Sequence, residues 1–99
     1  MNKRFVVLLT SATKEGNDAF LNFIKKNKLG WWHWMPNTWL LKAVNTTLKA
    51  SDIRDAAREA YGFANSFVIE LNEEGDTWSG FGPKTDKRNM FAWIHTNWK

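Results

Sequence analysis

The sequence predicts an α+β fold, in which two helices cover one face of a four-stranded antiparallel sheet. Two segments carry apolar residues at helical spacing, and four others are rich in β-branched and aromatic residues. Their order along the chain is β-α-β-β-α-β, followed by a C-terminal appendage, which is the order of the ferredoxin-like fold. Because 99 residues with 43% hydrophobic content suffice for one core only, we expect a single domain over residues 1–99.

The first strand is predicted from Arg4 to Thr10. Its two alternating sets of side chains are both apolar, which is typical of a central strand covered on both sides. Thr13 is a suitable N-cap for a helix from Lys14 to about Asn27. The apolar face of this helix consists of Gly16, Phe20, Phe23 and Ile24.

The second and third strands are predicted as a tryptophan hairpin, residues 31–42, which holds four of the seven tryptophans. Pro36-Asn37 marks its turn and favours a four-residue connection, with the third strand closing at Val44. Without a bulge, the predicted cross-strand pairs are Trp34 with Trp39, His33 with Leu40, Trp32 with Leu41 and Trp31 with Lys42. One face then carries Trp32, Trp34, Trp39 and Leu41, and the other carries Trp31, His33, Met35, Leu40 and Lys42.

The second helix is predicted from Asp52 to Tyr61, with Ser51 as its N-cap and Gly62 at its end. Its apolar stripe consists of Ile53, Ala56, Ala57, Ala60 and Tyr61. A fourth strand is expected at Ser66–Leu71, followed by a turn at 72–76.

The C-terminal appendage is predicted as a short extended stretch over 77–83 and a final helix capped by Thr85 or Asp86. Phe91, Ile94 and Trp98 lie on one side of that helix, with Met90 and Trp93 beside them. A strand over 90–96 is the alternative. Because two helices cover only one sheet face, we expect the appendage and a second copy of the chain to cover the other, which predicts a homodimer.

Composition excludes several classes of protein. The chain has no cysteine, so disulfides, thiolate nucleophiles and cysteine-ligated zinc are excluded, which favours the cytoplasm. No run of apolar residues is long enough to cross a membrane, and the apolar run at 5–9 is too short for a signal peptide. The formal charge of +4 and pI of about 9.6 favour anionic partners such as RNA or DNA.

Nucleic-acid binding requires cations for phosphates and exposed aromatic rings for bases. Trp31 and Trp78 are the candidate stacking platforms, although tryptophans are more often buried in a core or an interface. By that second interpretation, the core or dimer contact is formed by Trp31, Trp32, Trp34, Trp39, Leu41 and Trp78. The candidate phosphate contacts are Lys25, Lys26, Lys28, Lys42, Lys84, Lys87 and Arg88.

Catalytic motifs are sparse. His33 and His95 are candidates for general acid and base in metal-free RNA cleavage, and structural roles are the alternative for both. The acidic residues are scattered, so we expect neither a metal site nor another cofactor. Residues 80–85 do not form a phosphate loop, because Pro83 interrupts the required Gly-Lys-Ser/Thr succession.

Four stretches resemble small bacterial and phage proteins labelled SinR-like, which are similar to the small, sheet-dimerising subunit of CRISPR adaptation complexes. They are Trp31-Trp32-His33-Trp34 with Thr38-Trp39-Leu40-Leu41-Lys42, the helix from Ser51 with Ile53, Phe67-Val68-Ile69-Glu70, and Trp78-Ser79-Gly80-Phe81-Gly82-Pro83. The resemblance implies a ferredoxin-like fold, a homodimer, and either contact with nucleic acid or an endoribonuclease activity like that of related antitoxins.

One departure from this family concerns the first strand. In the relatives it typically ends in Tyr-Asp, with the aspartate proposed to hold a metal ion, whereas here it ends Leu8-Leu9-Thr10-Ser11. The sequence therefore favours a binding protein over an enzyme: a homodimer that contacts nucleic acid or another macromolecule. The alternatives are a metal-independent endoribonuclease and a phage or mobile-element protein that binds a host defence component.

Overall fold

A computed structural model describes residues 2–62, 64–71 and 84–98. Four strands form one sheet: β1 (Lys3–Leu9), β2 (Gly30–Met35), β3 (Thr38–Ala43) and β4 (Ser66–Leu71). The helices are α1 (Lys14–Lys26), α2 (Ala50–Tyr61) and the short C-terminal α3 (Ala92–Asn97). The strand order is β2-β3-β1-β4 and all neighbours are antiparallel, so the predicted ferredoxin-like arrangement is confirmed.

Helices α1 and α2 pack on the face of the sheet that carries Phe5, Val7 and Leu9, which we call the helix-covered face. The predicted apolar stripes of both helices supply the other side of this core. Thr13 caps α1 as predicted, because its hydroxyl accepts the Gly16 N–H at 3.0 Å. The prediction of Ser51 as the cap of α2 is wrong: the helix begins at Ala50, and the Asp52 carboxylate accepts the Lys49 N–H at 2.8 Å.

The opposite face of the sheet, which we call the second face, carries Arg4, Val6 and Leu8 on β1. The C-terminal segment covers part of it, as predicted, and the Trp32 Nε1–H donates to the Met90 carbonyl oxygen at 2.7 Å. The core of this contact consists of Trp32, Met90, Phe91, Ile94 and Trp98. Leu8, Phe67 and Ile69 remain 38%, 63% and 38% exposed.

The C-terminal helix starts later than the sequence predicts. Neither Thr85 nor Asp86 caps it; instead the Asn89 side-chain oxygen accepts the N–H groups of Phe91 and Ala92, at 3.0 and 3.1 Å. Thr85 closes a separate turn, in which its hydroxyl accepts the Arg88 N–H. The alternative of a strand over 90–96 is wrong, and the predicted clustering of Phe91, Ile94 and Trp98 is confirmed.

The tryptophan hairpin differs from its prediction in loop length and in register. Its strands are joined by Pro36 and Asn37 alone, and β3 ends at Ala43. Met35 opposes Thr38, as an unbroken register requires. Between Met35 and Trp32 the register shifts by one residue, so Trp32 opposes Leu40 rather than Leu41. This irregularity is typical of a β-bulge.

The shift changes which tryptophans share a face. Trp31 and His33 lie with Trp39 and Leu41 on the helix-covered face, and Trp31 and His33 both contact the Trp39 ring. Trp32 and Trp34 lie on the second face with Leu40. The predicted grouping of Trp32 and Trp34 with Trp39 is therefore wrong, as is the pairing of His33 with Leu40 and of Trp31 with Lys42.

The predicted turn at 72–76 and extended stretch at 77–83, which includes Trp78, lie outside the described residues. Within the described part of the chain, no helix is long and apolar enough to cross a membrane.

Candidate nucleic-acid interface

The predicted phosphate-contacting residues fall in three places. Lys25 and Lys26 occupy the last turn of α1, and Lys28 follows two residues later. Lys42 lies on β3, on the second face. The remaining three, Lys84, Lys87 and Arg88, precede α3. All are exposed except Lys42, which is half-buried.

The topology brings the first two groups to one end of the sheet. Because α1 returns over the sheet towards the start of β2, Lys28 lies only two residues before Gly30, and Gly30 pairs with Lys42. Two residues of chain span less than about 8 Å, so these groups are close. We call this end, with Lys25, Lys26, Lys28 and Lys42, the basic end. No ion pair joins these four lysines to another described residue.

The third group lies on the second face, against aromatic rings. The Lys84 ammonium is 5.3 Å from the centroid of the Phe91 ring, and the Arg88 guanidinium carbon is 5.6 Å from that of Trp34. Cations placed over ring faces are held without a carboxylate. Their N–H donors therefore stay available for an anion.

Acidic residues are distributed differently from these cations. Glu15 and Asp18 lie on α1, and three more acidic residues lie on α2, namely Asp52, Asp55 and Glu59. Glu70 lies on the helix-covered face, 3.8 Å from the Lys3 ammonium. Of the acidic residues that the structure describes, only Asp86 belongs to the segment that lies on the second face. On the helices, cations such as Lys14, Arg54 and Arg58 balance these acids. The second face, with Asp86 as the one described acid of its C-terminal segment, therefore carries the excess of positive charge among the described residues.

The candidate stacking platform Trp31 is 40% exposed, on the edge strand β2 and next to the basic end. Trp32 and Trp39 are buried and Trp34 is half-buried, so the hypothesis that tryptophans belong to the core holds for those three. The Trp39 Nε1–H donates to the Tyr61 hydroxyl at 3.0 Å, and that hydroxyl donates to Asn17 at 2.7 Å. Burial raises the pKa of Tyr61, and the Trp39 hydrogen bond opposes this shift.

The two histidines lie on opposite sides of the sheet. His33 stacks on Trp39 with the ring centroids 3.7 Å apart, on the helix-covered face. His95 is an exposed residue of α3, which packs on the second face. With the sheet between them, the two residues do not form the acid and base pair that metal-free RNA cleavage requires.

His33 is half-buried and contacts the hairpin turn through a ring nitrogen. Its Nε2 lies 3.2 Å from the Pro36 carbonyl oxygen, and because a carbonyl only accepts, Nε2 carries the proton. Partial burial lowers the pKa of His33, and the hydrogen bond to Pro36 opposes this shift.

The described residues form no metal site. Over 2–62, 64–71 and 84–98, no three residues of the metal-binding types converge. A groove of about 440 Å³ between α1 and α2 is lined mostly by small and apolar side chains, with Lys26 and Glu59 as its charged members. These two residues supply opposite charges and no nucleophile.

Arg4 is the site residue that sequence reasoning missed. It was treated only as the first residue of an apolar strand, yet it is 4% exposed and its guanidinium carbon lies 5.5 Å from the Trp98 ring centroid. The available signal was its position: Arg4 alternates in phase with Val6 and Leu8, which places its side chain on the second face but does not show that it is covered.

No protein-family model matches this chain, and no curated protein or solved structure is detectably similar to it.

Proposed function

We propose that this protein binds nucleic acid through the basic end and the adjoining part of the second face. The observation that carries the proposal is the distribution of charge. Six of the seven described acidic residues lie on or beside the helices, together with exposed cations such as Lys14, Arg54 and Arg58. The second face and its C-terminal segment instead combine Arg4, Lys42, Lys84, Lys87 and Arg88 with one described acid, Asp86. Phosphate backbones are the partners for which such a surface is suited, because binding releases their counterions.

Two further features support this ligand class. Trp31 offers a partly exposed indole beside the basic end, and an indole stacks on any base. Lys84 and Arg88 lie over aromatic rings, and neither forms an ion pair with a described carboxylate. Among the described residues of their segment, Asp86 is the one acid that would compete with a phosphate. The resemblance to SinR-like proteins implies the same class of partner.

The test is the binding of fluorescent single-stranded RNA and DNA oligonucleotides, measured by anisotropy over a series of salt concentrations. We expect the double variant Lys25→Gln/Lys26→Gln to bind about tenfold more weakly than the unmodified chain. The slope of log K against log salt should fall by about 1.4, or 0.7 for each lost phosphate contact.

The matched control is Lys14→Gln/Arg58→Gln, which removes the same charge at the opposite end of the helices. Lys14 pairs with Asp18 at 3.1 Å in the first turn of α1, and Arg58 lies in the last turn of α2. The control should retain both affinity and slope. Equal losses of affinity in the two double variants would show that binding depends on net charge and not on the basic end. The absence of salt-dependent binding would refute the proposal.

We also propose that two copies associate through an apolar patch of the second face, formed by Leu8, Phe67 and Ile69. Leu8 opposes Phe67 in the register of β1 and β4, and Ile69 lies two residues along β4 on the same side, so the three are contiguous. Each is at least 38% exposed. Contiguous apolar surface of this kind is typical of an interface, and association would place two basic ends on one particle and raise their joint affinity for a long polyanion.

Light scattering at micromolar concentration tests this association, with Phe67→Glu as the disrupting variant. Phe67 is 63% exposed, so a glutamate there should leave the monomer folded while placing a charge in the interface. Val44→Glu is the control, since Val44 is an apolar residue of 60% exposure outside the patch. We expect a dimeric mass for the unmodified chain and the control, and a monomeric mass for Phe67→Glu. A monomeric unmodified chain would contradict the proposal.

A further inference from the structure

A buried cation with one unsatisfied nitrogen lies on the second face. Arg4 is 4% exposed, and its Nη1 is enclosed and has no partner among the described residues. The guanidinium carbon lies over the ring of Trp98, 5.5 Å from its centroid. A ring face does not satisfy the N–H donors, which lie in the plane of the guanidinium, and burying an unpaired charge is strongly unfavourable.

A second cation faces the same space. Lys42 is the direct cross-strand partner of Arg4, so both side chains leave the sheet on the second face about 5 Å apart at Cβ. Like charges in this position destabilise a sheet. Of the described strand residues, only Glu70 is acidic, and it lies on the other face with Lys3.

Aromatic rings from the C-terminal segment enclose the two cations. Trp98 lies over Arg4, and the Trp93 ring lies over Gly30, the β2 residue opposite Lys42. A Cβ at Gly30 would come within 3.0 Å of Trp93, so glycine is what allows this close cover. Rings that exclude water strengthen the attraction between the cations and an anion.

We propose that Arg4 and Lys42 form a binding site for one phosphate group beneath the C-terminal segment. The guanidinium offers paired donors to two phosphate oxygens, and the ammonium supplies a second charge. Lys42 is half-buried, so the site is accessible to solvent on the Lys42 side. Because Arg4 is enclosed, a phosphate enters only when Trp98, the residue after the six-residue α3, moves aside.

The first experiment uses inorganic phosphate as the probe and thermal unfolding as the readout, against sodium chloride at equal ionic strength. Saturating phosphate should raise the Tm of the unmodified chain by about 5 °C. In Arg4→Met this rise should be lost, while the Tm without phosphate stays equal or increases because an uncompensated buried charge is gone.

Two further variants make the result specific. Lys42→Gln, at a half-buried position that tolerates the change, should lose most of the phosphate response and keeps the test valid if Arg4→Met does not fold. Arg58→Met removes a charge from an exposed residue of α2, outside the proposed binding surface, and should keep the full response. A phosphate effect no larger than that of chloride, or a phosphate response that Lys42→Gln retains in full, would overturn the proposal.

A binding experiment with RNA shows whether the bound phosphate belongs to a nucleic acid or is free. This experiment alone rests on the proposed function. If the phosphate is part of a nucleic acid, Arg4→Met should bind a single-stranded RNA about tenfold more weakly. If the oligonucleotide does not bind but inorganic phosphate stabilises through Arg4, the site takes a free phosphate and the proposed function fails alone. If Arg4→Met binds RNA as the unmodified chain does and no phosphate response exists, the proposed function stands and this inference fails.

Discussion

The two faces of the sheet are covered in different ways. On the helix-covered face, two helices of 13 and 12 residues bury Phe5, Val7 and Leu41 completely. On the second face, one helix of 6 residues and the segment before it cover only part of the strands, and Phe67 is left 63% exposed. The first face is therefore closed by its own chain, whereas the second combines incomplete apolar cover with unpaired cations. This contrast indicates that stability is concentrated on the helix-covered face, and it is the second face that we propose for binding.

The strongest test of this contrast replaces one phenylalanine on each face. Phe5→Ala should lower the free energy of unfolding by about 3–5 kcal/mol, because Phe5 is completely buried and its loss leaves a cavity. Phe67→Ala should lower it by less than about 0.5 kcal/mol, because most of that ring already contacts water. Urea unfolding at a protein concentration low enough to avoid association measures both. Similar losses would show that the faces are equally closed.

A smaller effect is expected from adding one methyl group on each face. An alanine at Gly16 would bring its Cβ within 2.3 Å of the Tyr61 ring, whose hydroxyl is held by Trp39 and Asn17. We expect Gly16→Ala to destabilise the protein by about 2 kcal/mol through overpacking.

The matched change on the second face is Gly30→Ala, whose Cβ would lie 3.0 Å from Trp93. Since Trp93 is half-buried on the short α3, it has room to shift, and we expect a loss below about 1 kcal/mol. Thermal unfolding of both variants gives the ranking, and a larger loss for Gly30→Ala would mean that the C-terminal segment is the more rigid cover.

The smallest effect concerns pH. Because partial burial lowers the pKa of His33, the unfolded chain takes up this proton at a higher pH than the folded chain does. The stability that neutral His33 contributes is complete above the unfolded pKa of about 6.5 and decreases as the pH falls through that value towards the folded pKa. Urea unfolding at pH 7.5 and 5.5 should therefore show lower stability at pH 5.5. His33→Phe keeps a ring against Trp39 but cannot titrate, so the stability difference between the two pH values should become smaller in this variant. An unchanged difference would show that other groups cause it.

The fold was predictable because the elements differ in the period of their apolar residues. Phe20 and Ile24 mark α1 at a spacing of four, and Ile53 and Ala57 mark α2 in the same way. Both pairs are buried, and the bounds of β4 agree with the prediction at each end. Thr13, a residue with a strong capping preference, also acted as predicted.

The hairpin register was not predictable by the same reasoning. Register is firmly set where a slip would expose apolar residues or bury polar ones. In the stretch from Trp31 to Trp34 both alternating sets are aromatic, so a shift of one residue exchanges one ring for another at little cost. The register is decided instead by contacts distant in sequence, such as the hydrogen bond from Trp32 to Met90.

The candidate interface was predictable in part. Exposed lysines at the end of a helix, such as Lys25, are visible in the sequence, and their meeting with Lys42 follows from the predicted topology. Arg4 was missed because hydropathy alternation assigns it to the boundary of β1 rather than to the covered face. Only the packing of Trp98 over the sheet reveals its burial.

The irregularity in β2 has a consequence for self-association of another kind. This strand forms one edge of the described sheet and carries exposed Trp31 and Met35. Exposed apolar edge strands can pair with strands of other chains and so promote aggregation. The register shift between Trp32 and Met35 interrupts the regular row of backbone groups that an incoming strand would need. We therefore expect the aromatic edge to be a poor template for fibril growth.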